Sequence, residues 1–232
     1  MLNRIWNNAA WLLLASVTVS VAHAQAPAQA PVDRMSQMQS VAQALGVQCN
    51  YCHSGQRGSG QLEPKKDIAR VMFEMTDELN AKVQQATGKA PSEVTRVTCL
   101  TCHRGVAIPR QLNEIMLRTV SEKGSAAAVE QFRDLRQRYY GHQSYDFGEE
   151  TLLSVGQQLS QGRPEDALAL LNLNLEYYPK STRTYGAIAF AHTRRLNDTA
   201  AMAALEKALE IEPENSQIRG RLEQLKSYKR NR

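Results

Sequence analysis

All four cysteines of the chain lie in two copies of one short motif, in which a histidine directly follows the second cysteine. The first copy spans residues 49–53 (CNYCH) and the second spans residues 99–103 (CLTCH). Two thiols three residues apart can each add to one vinyl group of a haem, and a histidine one helical turn beyond the first cysteine can ligate its iron. The pattern therefore predicts two covalently bound haem c groups. Cys49 and Cys52 would attach the first haem, and His53 would ligate its iron. Cys99, Cys102 and His103 would take the same roles for the second haem.

Two other uses of paired cysteines are the alternatives. The cysteine pairs of a zinc ribbon are separated by about 15–20 residues, and the pairs here lie much further apart in the chain. Zinc also has no need for a histidine directly after each pair. A redox-active disulfide of the thioredoxin type requires a β-α-β context, and no segment near either motif has the pattern of a strand. Haem attachment is therefore the favoured interpretation.

Each motif is preceded by a segment with the spacing of a helix, and each segment carries two methionines on one face. The first segment holds Met35 and Met38 and ends at Gly46; the second begins near Pro64 and holds Met72 and Met75. A methionine opposite histidine gives a six-coordinate, electron-carrying haem, although helical methionine is more often part of a core. We expect one methionine of each pair to be the sixth iron ligand. The spacing alone does not choose within either pair.

The region ahead of the first motif has the pattern of an export signal. Residues 1–24 combine one basic side chain, an apolar run and the small-residue end Ala22-His23-Ala24, which predicts a secretory signal peptide, with an uncleaved anchor as the alternative. Residues 25–32 (QAPAQAPV) are expected to be a flexible spacer. Residues 33–110 then form the predicted haem domain, and residues 111–149 a charged helical connector.

Residues 150–228 contain an internal repeat with a period of 34 residues. The identical pairs are Ala167 and Ala201, Leu171 and Leu205, Leu175 and Leu209, Glu176 and Glu210, and Pro179 and Pro213. This period resembles the tetratricopeptide repeat (TPR), in which paired helices stack, and the last polar segment would cap the stack. Plain helical packing is the alternative. The predicted fold is therefore all-α, with a compact di-haem c-type cytochrome domain followed by a TPR-like helical-hairpin region.

The composition excludes several broad classes of protein. The chain has 232 residues, a formal net charge of +5, 42% hydrophobic and 22% charged residues, which excludes wholesale disorder. Its basic residues are scattered without interleaved aromatic residues, so nucleic-acid binding is not expected. No segment beyond the signal-like region is apolar enough to cross a bilayer. Membrane contact is therefore expected only through a partner complex.

Three segments of the predicted haem domain resemble the photosynthetic reaction-centre cytochrome c subunit family. They are residues 45–53 (LGVQCNYCH), residues 64–80, and residues 97–105 (VTCLTCHRG), the most specific of the three. In that family each haem is held by a helix with the axial methionine, a turn, and the cysteine motif. By position, the resemblance implies Met72 as the sixth ligand of the second haem, and Met38 rather than Met35 for the first. The family subunit carries four haems, so the resemblance implies a shorter, two-haem relative without establishing photosynthesis.

The predicted function is electron transfer between periplasmic donor and acceptor proteins, without turnover of a substrate. A protein partner would dock on the TPR-like region, because stacked helix pairs form extended binding surfaces. One alternative is a di-haem peroxidase-like oxidoreductase, which needs one haem with an open sixth position. Another is a scaffold or haem redox sensor in which the TPR-like region performs the main task.

Overall fold

The computed structural model describes residues 33–53 and 64–230, and within these ranges the chain is helical and contains no β-strand. The predicted all-α fold is confirmed. The helices are α1 Arg34–Leu45, α2 Pro64–Thr87, α3 Cys99–His103, α4 Leu112–Lys123, α5 Ser125–Tyr139, α6 Glu149–Leu159, α7 Pro164–Tyr177, α8 Thr182–Arg194, α9 Asp198–Ile211 and α10 Ser216–Arg230. Short 3-10 turns lie at Cys49–Tyr51 and Pro91–Glu93. The predicted signal peptide (residues 1–24) and spacer (residues 25–32) lie outside the described residues.

The two helices predicted to carry the methionines are confirmed, and local chemistry sets their ends. The carboxylate of Asp33 accepts hydrogen bonds from the backbone N–H groups of Met35 and Ser36, both at 3.3 Å, and so caps the start of α1. Gly46 ends α1 in the left-handed conformation, at φ 64°. Helix α2 begins at Pro64, whose missing N–H costs nothing at a helix start.

Most of the buried apolar side chains lie in α4 to α10, where they form two adjoining cores. The first core joins α4, α5, α6 and α7 around Phe132, whose ring meets that of Phe147 edge to face at 5.6 Å. The second joins α6 to α10 around Leu171, Leu205 and Leu222. Residues 111–149, which the sequence predicts as a connector, thus contribute two helices to the first core.

Helices α6 to α10 pack as neighbours in chain order. Helices α7 and α9 begin and end 34 residues apart, which matches the period of the sequence repeat. The buried amide of Asn174 on α7 donates to Thr184 Oγ1 on α8 (2.9 Å) and to the carbonyl of Glu149 at the start of α6 (3.1 Å). One polar side chain therefore ties three helices together. The TPR assignment itself stays a prediction.

The motif-bearing residues contribute little to either core. Among the described residues before α4, the buried apolar side chains are those of Ala44 and Val106. No helix in the described part of the chain is long and apolar enough to span a bilayer.

Candidate haem-binding site

Both cysteine motifs fold so that the histidine follows the first cysteine by one helical turn. In the first motif the carbonyl of Cys49 accepts a hydrogen bond from the backbone N–H of His53 at 3.0 Å, which closes the turn. The second motif forms helix α3, whose start is held by a 3.0 Å hydrogen bond from the N–H of Thr98 to Thr101 Oγ1. All four thiols are free, and none is fully buried. Each motif therefore presents two accessible thiols and one imidazole from a single turn.

The imidazole of His103 is oriented by a backbone carbonyl. Its Nδ1 lies 3.0 Å from the carbonyl oxygen of Val106. A carbonyl oxygen can only accept, so Nδ1 carries the proton and donates. The lone pair of the neutral ring is then at Nε2, the nitrogen that remains for a metal. A hydrogen bond of this kind fixes the orientation of a ligating histidine and raises its basicity.

Helix α2 is joined to the segment just ahead of the second motif. The side chain of Asn80 accepts a hydrogen bond from the N–H of Val97 (2.8 Å) and donates one to the carbonyl of the same residue (2.9 Å). Arg96 adds an exposed ion pair with Asp77 at 3.8 Å. The helix that carries Met72 and the motif that carries His103 are thereby linked.

Helix α1 is joined to the end of the second motif by a close backbone contact. The N–H of Gly105 donates to the carbonyl of Ala44 at 2.8 Å. A Cβ atom on Gly46 would lie 2.1 Å from the carbonyl oxygen of Gly105, so a glycine is required at this approach. The first motif also contacts α2, where Lys65 Nζ lies 3.7 Å from the centre of the Tyr51 ring.

A family model described as the photosynthetic reaction centre cytochrome C subunit matches residues 29–153, more than half of the chain. The chain belongs to this cytochrome family. A photosynthetic reaction center cytochrome c subunit of Rubrivivax gelatinosus is 36% identical over 64 residues, which cover 28% of this chain and 16% of that protein. The chain thus spans far less than two thirds of the relative that it matches. The family match also extends past the predicted haem domain into α4, α5 and the start of α6.

Membership in this cytochrome family implies covalently bound haem. The residues present fit such a group. Haem c requires two thiols that add to its vinyl groups and an imidazole that ligates its iron, and the apolar surface of a haem needs apolar cover, which an uncovered face of α2 could provide. That face is 38–59% exposed, and its residues are Ile68, Val71, Met72, Met75 and Leu79.

The methionine pairs lie where the sequence predicts them, on α1 and α2. Met38 is 37% exposed and Met35 is 60% exposed, so Met38 is the more sheltered of its pair. Met72 and Met75 differ little, at 38% and 42%. The assignment of the sixth ligands stays a prediction.

The described side chains do not form the cluster that zinc would need. No three His, Cys, Asp or Glu side chains in residues 33–53 and 64–230 come together as a metal site. Zinc requires about four such ligands in a tetrahedron.

A cavity of about 690 Å³ adjoins the second motif on the side of the helical core. Cys102 and His103 line it together with Tyr145, which comes from the loop before α6. Ser144 Oγ donates to the carbonyl of Arg104 at 2.6 Å and joins this loop to the motif. Burial, and next the charge of Tyr139, raise the pKa of Tyr145, so its hydroxyl stays protonated at neutral pH. The sequence does not predict that residues 140–148 line a cavity at the second motif, because they lie far from the motif in the chain and have no distinctive pattern.

Proposed function

We propose that the chain is an exported di-haem c-type cytochrome that passes electrons between periplasmic donor and acceptor proteins. The observation that carries the proposal is the shared geometry of the two motifs, each with a histidine one turn after its first thiol. Cys49, Cys52 and His53 would hold one haem, and Cys99, Cys102 and His103 the other. When bound, haem supplies a reversible one-electron change at its iron.

The chain's own residues bind, orient and shelter the two groups. The carbonyl of Val106 fixes the ring of His103, while Met38 and Met72 would each complete a coordination sphere with a soft thioether. Ligation by histidine and methionine raises the reduction potential. The apolar face of α2 would keep water from one haem, which also tunes the potential. These roles need no substrate pocket. A protein partner would dock on the helical hairpins of the second half of the chain.

Haem stoichiometry tests the proposal most directly. The chain would be expressed in a periplasm with haem c maturation, and covalent haem would be counted per polypeptide. We expect two haems in the natural sequence. The double variants Cys49→Ala/Cys52→Ala and Cys99→Ala/Cys102→Ala should each retain one. A natural chain with no covalent haem, or with one, would refute the di-haem assignment.

The sixth ligands are tested by matched methionine variants. Met72→Ala and Met38→Ala should each remove about half of the far-red band that arises from methionine bound to ferric iron. Met75→Ala and Met35→Ala, on the same helix faces, should leave that band in place. If carbon monoxide binds rapidly to one reduced haem of the natural protein, that iron is open, and a peroxidase or sensor role replaces electron transfer.

A further inference from the structure

The turn that follows the second motif contains a strained residue. The N–H of Val106 donates to the carbonyl of His103 at 3.0 Å and closes the turn. The two residues between them, Arg104 and Gly105, both have positive φ, at 49° and 86°. Glycine adopts this conformation freely, whereas arginine is strained in it because of its Cβ atom. A residue strained in this way persists only where its surroundings hold it in place.

Two hydrogen bonds from other parts of the fold hold this turn. The N–H of Gly105 donates to the carbonyl of Ala44 on α1 at 2.8 Å. The hydroxyl of Ser144 donates to the carbonyl of Arg104 at 2.6 Å. Ser144 Oγ also lies 3.4 Å from the position that a Cβ atom would take on Gly105, so it packs against both central residues of the turn. Since the contact from Ser144 is made by a side chain, a single substitution can remove it.

The loop that carries Ser144 is part of the first core. The ring of its neighbour Tyr145 meets that of Tyr139 on α5 edge to face at 5.2 Å. The same ring lies 6.1 Å from the ring of Phe147, which is buried in that core. Core packing therefore fixes where Ser144 stands, although it lies 40 residues beyond the turn in the chain.

We propose that Ser144 is a positioning residue through which the helical core sets the reduction potential of the second haem. The inference rests on the proposed electron-transfer function and names a residue that tunes it. The turn places the carbonyl of Val106 at 3.0 Å from His103 Nδ1. The hydrogen bond between them raises the basicity of the imidazole, and a more basic ligand favours ferric over ferrous iron. Holding the turn in place therefore lowers the potential of the second haem.

Ser144→Ala removes the hydroxyl, and three other variants separate its possible effects. Ser144→Thr keeps a hydroxyl at the same position. Ser154→Ala removes a hydroxyl from the wall of the same cavity, but this hydroxyl donates within α6, to the carbonyl of Thr151 at 3.0 Å. Arg104→Gly relieves the strain of the turn, because glycine needs no support at positive φ. Ser144→Ala should therefore matter less on the Arg104→Gly background.

The experiment is a potentiometric titration of the full-length haem-loaded protein, followed by absorption spectroscopy. We expect Ser144→Ala to raise one of two potentials, so that the ratio of reduced to oxidised iron at the natural midpoint rises by about threefold or more. Ser144→Thr and Ser154→Ala should leave both potentials in place. On the Arg104→Gly background, the shift caused by Ser144→Ala should fall by about half or more. The variant Cys49→Ala/Cys52→Ala, which should retain only the second haem, identifies the potential that moves.

Four results would overturn the inference. Unchanged potentials in Ser144→Ala, with or without a loss of stability, would make Ser144 a structural residue alone. An equal shift in Ser154→Ala would assign the effect to the polarity of the cavity. A shift of the first haem alone would show that the effect does not pass through His103. An undiminished shift on the Arg104→Gly background would show that Ser144 does not act by holding the strained turn.

Covalent haem is counted on the same samples. A natural protein with fewer than two haems contradicts the di-haem proposal itself. Two haems together with unchanged potentials in Ser144→Ala contradict only the role of Ser144.

Discussion

Asn80 holds the second proposed haem site together through one side chain. Its amide bonds both the N–H and the carbonyl of Val97 and also donates to the carbonyl of Thr76 within α2 at 2.8 Å. Val97 lies two residues before Cys99, so this contact sets how far the methionine-bearing helix stands from the cysteine motif. A positioning role for Asn80 follows, since it would act on the haem through the elements that it joins.

Replacing Asn80 with alanine should loosen this link. The variant leaves two backbone groups of Val97 without a partner, and we expect a loss of about 1–3 kcal/mol in the free energy of unfolding. If Met72 is the sixth ligand of the second proposed haem, the far-red methionine band of that haem should also weaken, because α2 would no longer be held at its distance from α3. Denaturant unfolding and absorption spectra of the haem-loaded protein measure the two effects.

Gln85→Ala, at an exposed position of the same helix, is the control and should change neither quantity. If Asn80→Ala lowers stability but leaves the far-red band and the reduction potentials unchanged, then Asn80 is a structural residue without a positioning role.

The cysteine and histidine roles could be predicted from the sequence because they depend on local spacing, since Cys49 and His53 are joined across a single turn. The contact between Asn80 and Val97 crosses 17 residues of chain, and spacing says nothing about it. The hydrogen bond from His103 to Val106 is local, but no residue type signals a backbone carbonyl as acceptor. Sequence reasoning thus finds the ligands more readily than the groups that orient them.

At the level of elements, the contact between α1 and α3 depends on a glycine for two separate reasons. Gly46 adopts a positive φ, and it also faces the carbonyl of Gly105 at a distance that leaves no room for a Cβ atom. Gly88, at the end of α2, has the same φ of 64° but no atom within 4 Å of its Cβ position. A substitution at Gly88 therefore tests backbone strain alone, whereas a substitution at Gly46 tests backbone strain together with close packing.

Alanine at Gly88 should lower the free energy of unfolding by about 1–2 kcal/mol, because its Cβ atom is strained in the left-handed conformation and meets no other obstacle. Alanine at Gly46 should cost more, by about 1–3 kcal/mol, because it must also push α1 away from α3. Chemical denaturation of the haem-loaded protein gives both values. Equal losses in the two variants would show that α1 and α3 do not depend on this contact.

The junction between α7 and the α4–α5 turn contains a carboxylate whose titration affects stability. Partial burial raises the pKa of Asp166, but hydrogen bonds donated by Ser125 and Arg163 outweigh burial, so the pKa is lowered overall. Arg163 also donates to the carbonyl of Val120 at 3.0 Å. Asp166 therefore stabilises the fold while it is ionised, and this contribution is lost as the pH falls through its lowered pKa.

Asp166→Asn should lower the midpoint of thermal unfolding at about pH 7, where the natural carboxylate is ionised, and should match the natural protein at about pH 2. Because solvent screens a partly exposed pair, we expect an effect of about 0.5–1 kcal/mol. Asp134→Asn, in an exposed pair within α5, is the control and should shift the midpoint less. A difference of the same size at both pH values would show that charge is not the cause.

Helices α1 and α2 could be predicted from periodicity and end signals, such as Gly46 after the first and Pro64 before the second. The packing of α4 and α5 could not. Their apolar positions, Met116 and Phe132 among them, are clear in the sequence, but what they pack against depends on Leu152 and Leu170 in helices beyond the predicted boundary. Helices α4 and α5 therefore share one core with α6 and α7, although the composition of the sequence places a boundary between them.

Across the whole molecule, burial is unevenly divided between the two halves. The large, fully buried side chains belong to α4 and the helices after it, with Phe132 and Met116 the largest. Residues 33–53 and 64–110 bury little apolar surface and carry the uncovered face of α2. Since apolar burial is the main stabilising contribution to folding, the two halves should depend on haem to different extents.

We therefore expect the variant with alanine at Cys49, Cys52, Cys99 and Cys102, which cannot attach haem, to keep its second half folded. Amide hydrogen exchange followed by mass spectrometry should find α4 to α10 protected as in the haem-loaded protein, whereas α1 to α3 should exchange rapidly because little else shields them. Rapid exchange across both halves would mean that the cores of α4 to α10 need the haem domain. Unchanged protection in α1 to α3 would mean that the cysteine-bearing half is stable on its own. The expected division makes covalent haem the group that completes the first half of the fold, which couples maturation of the cofactor to folding of the segment that uses it.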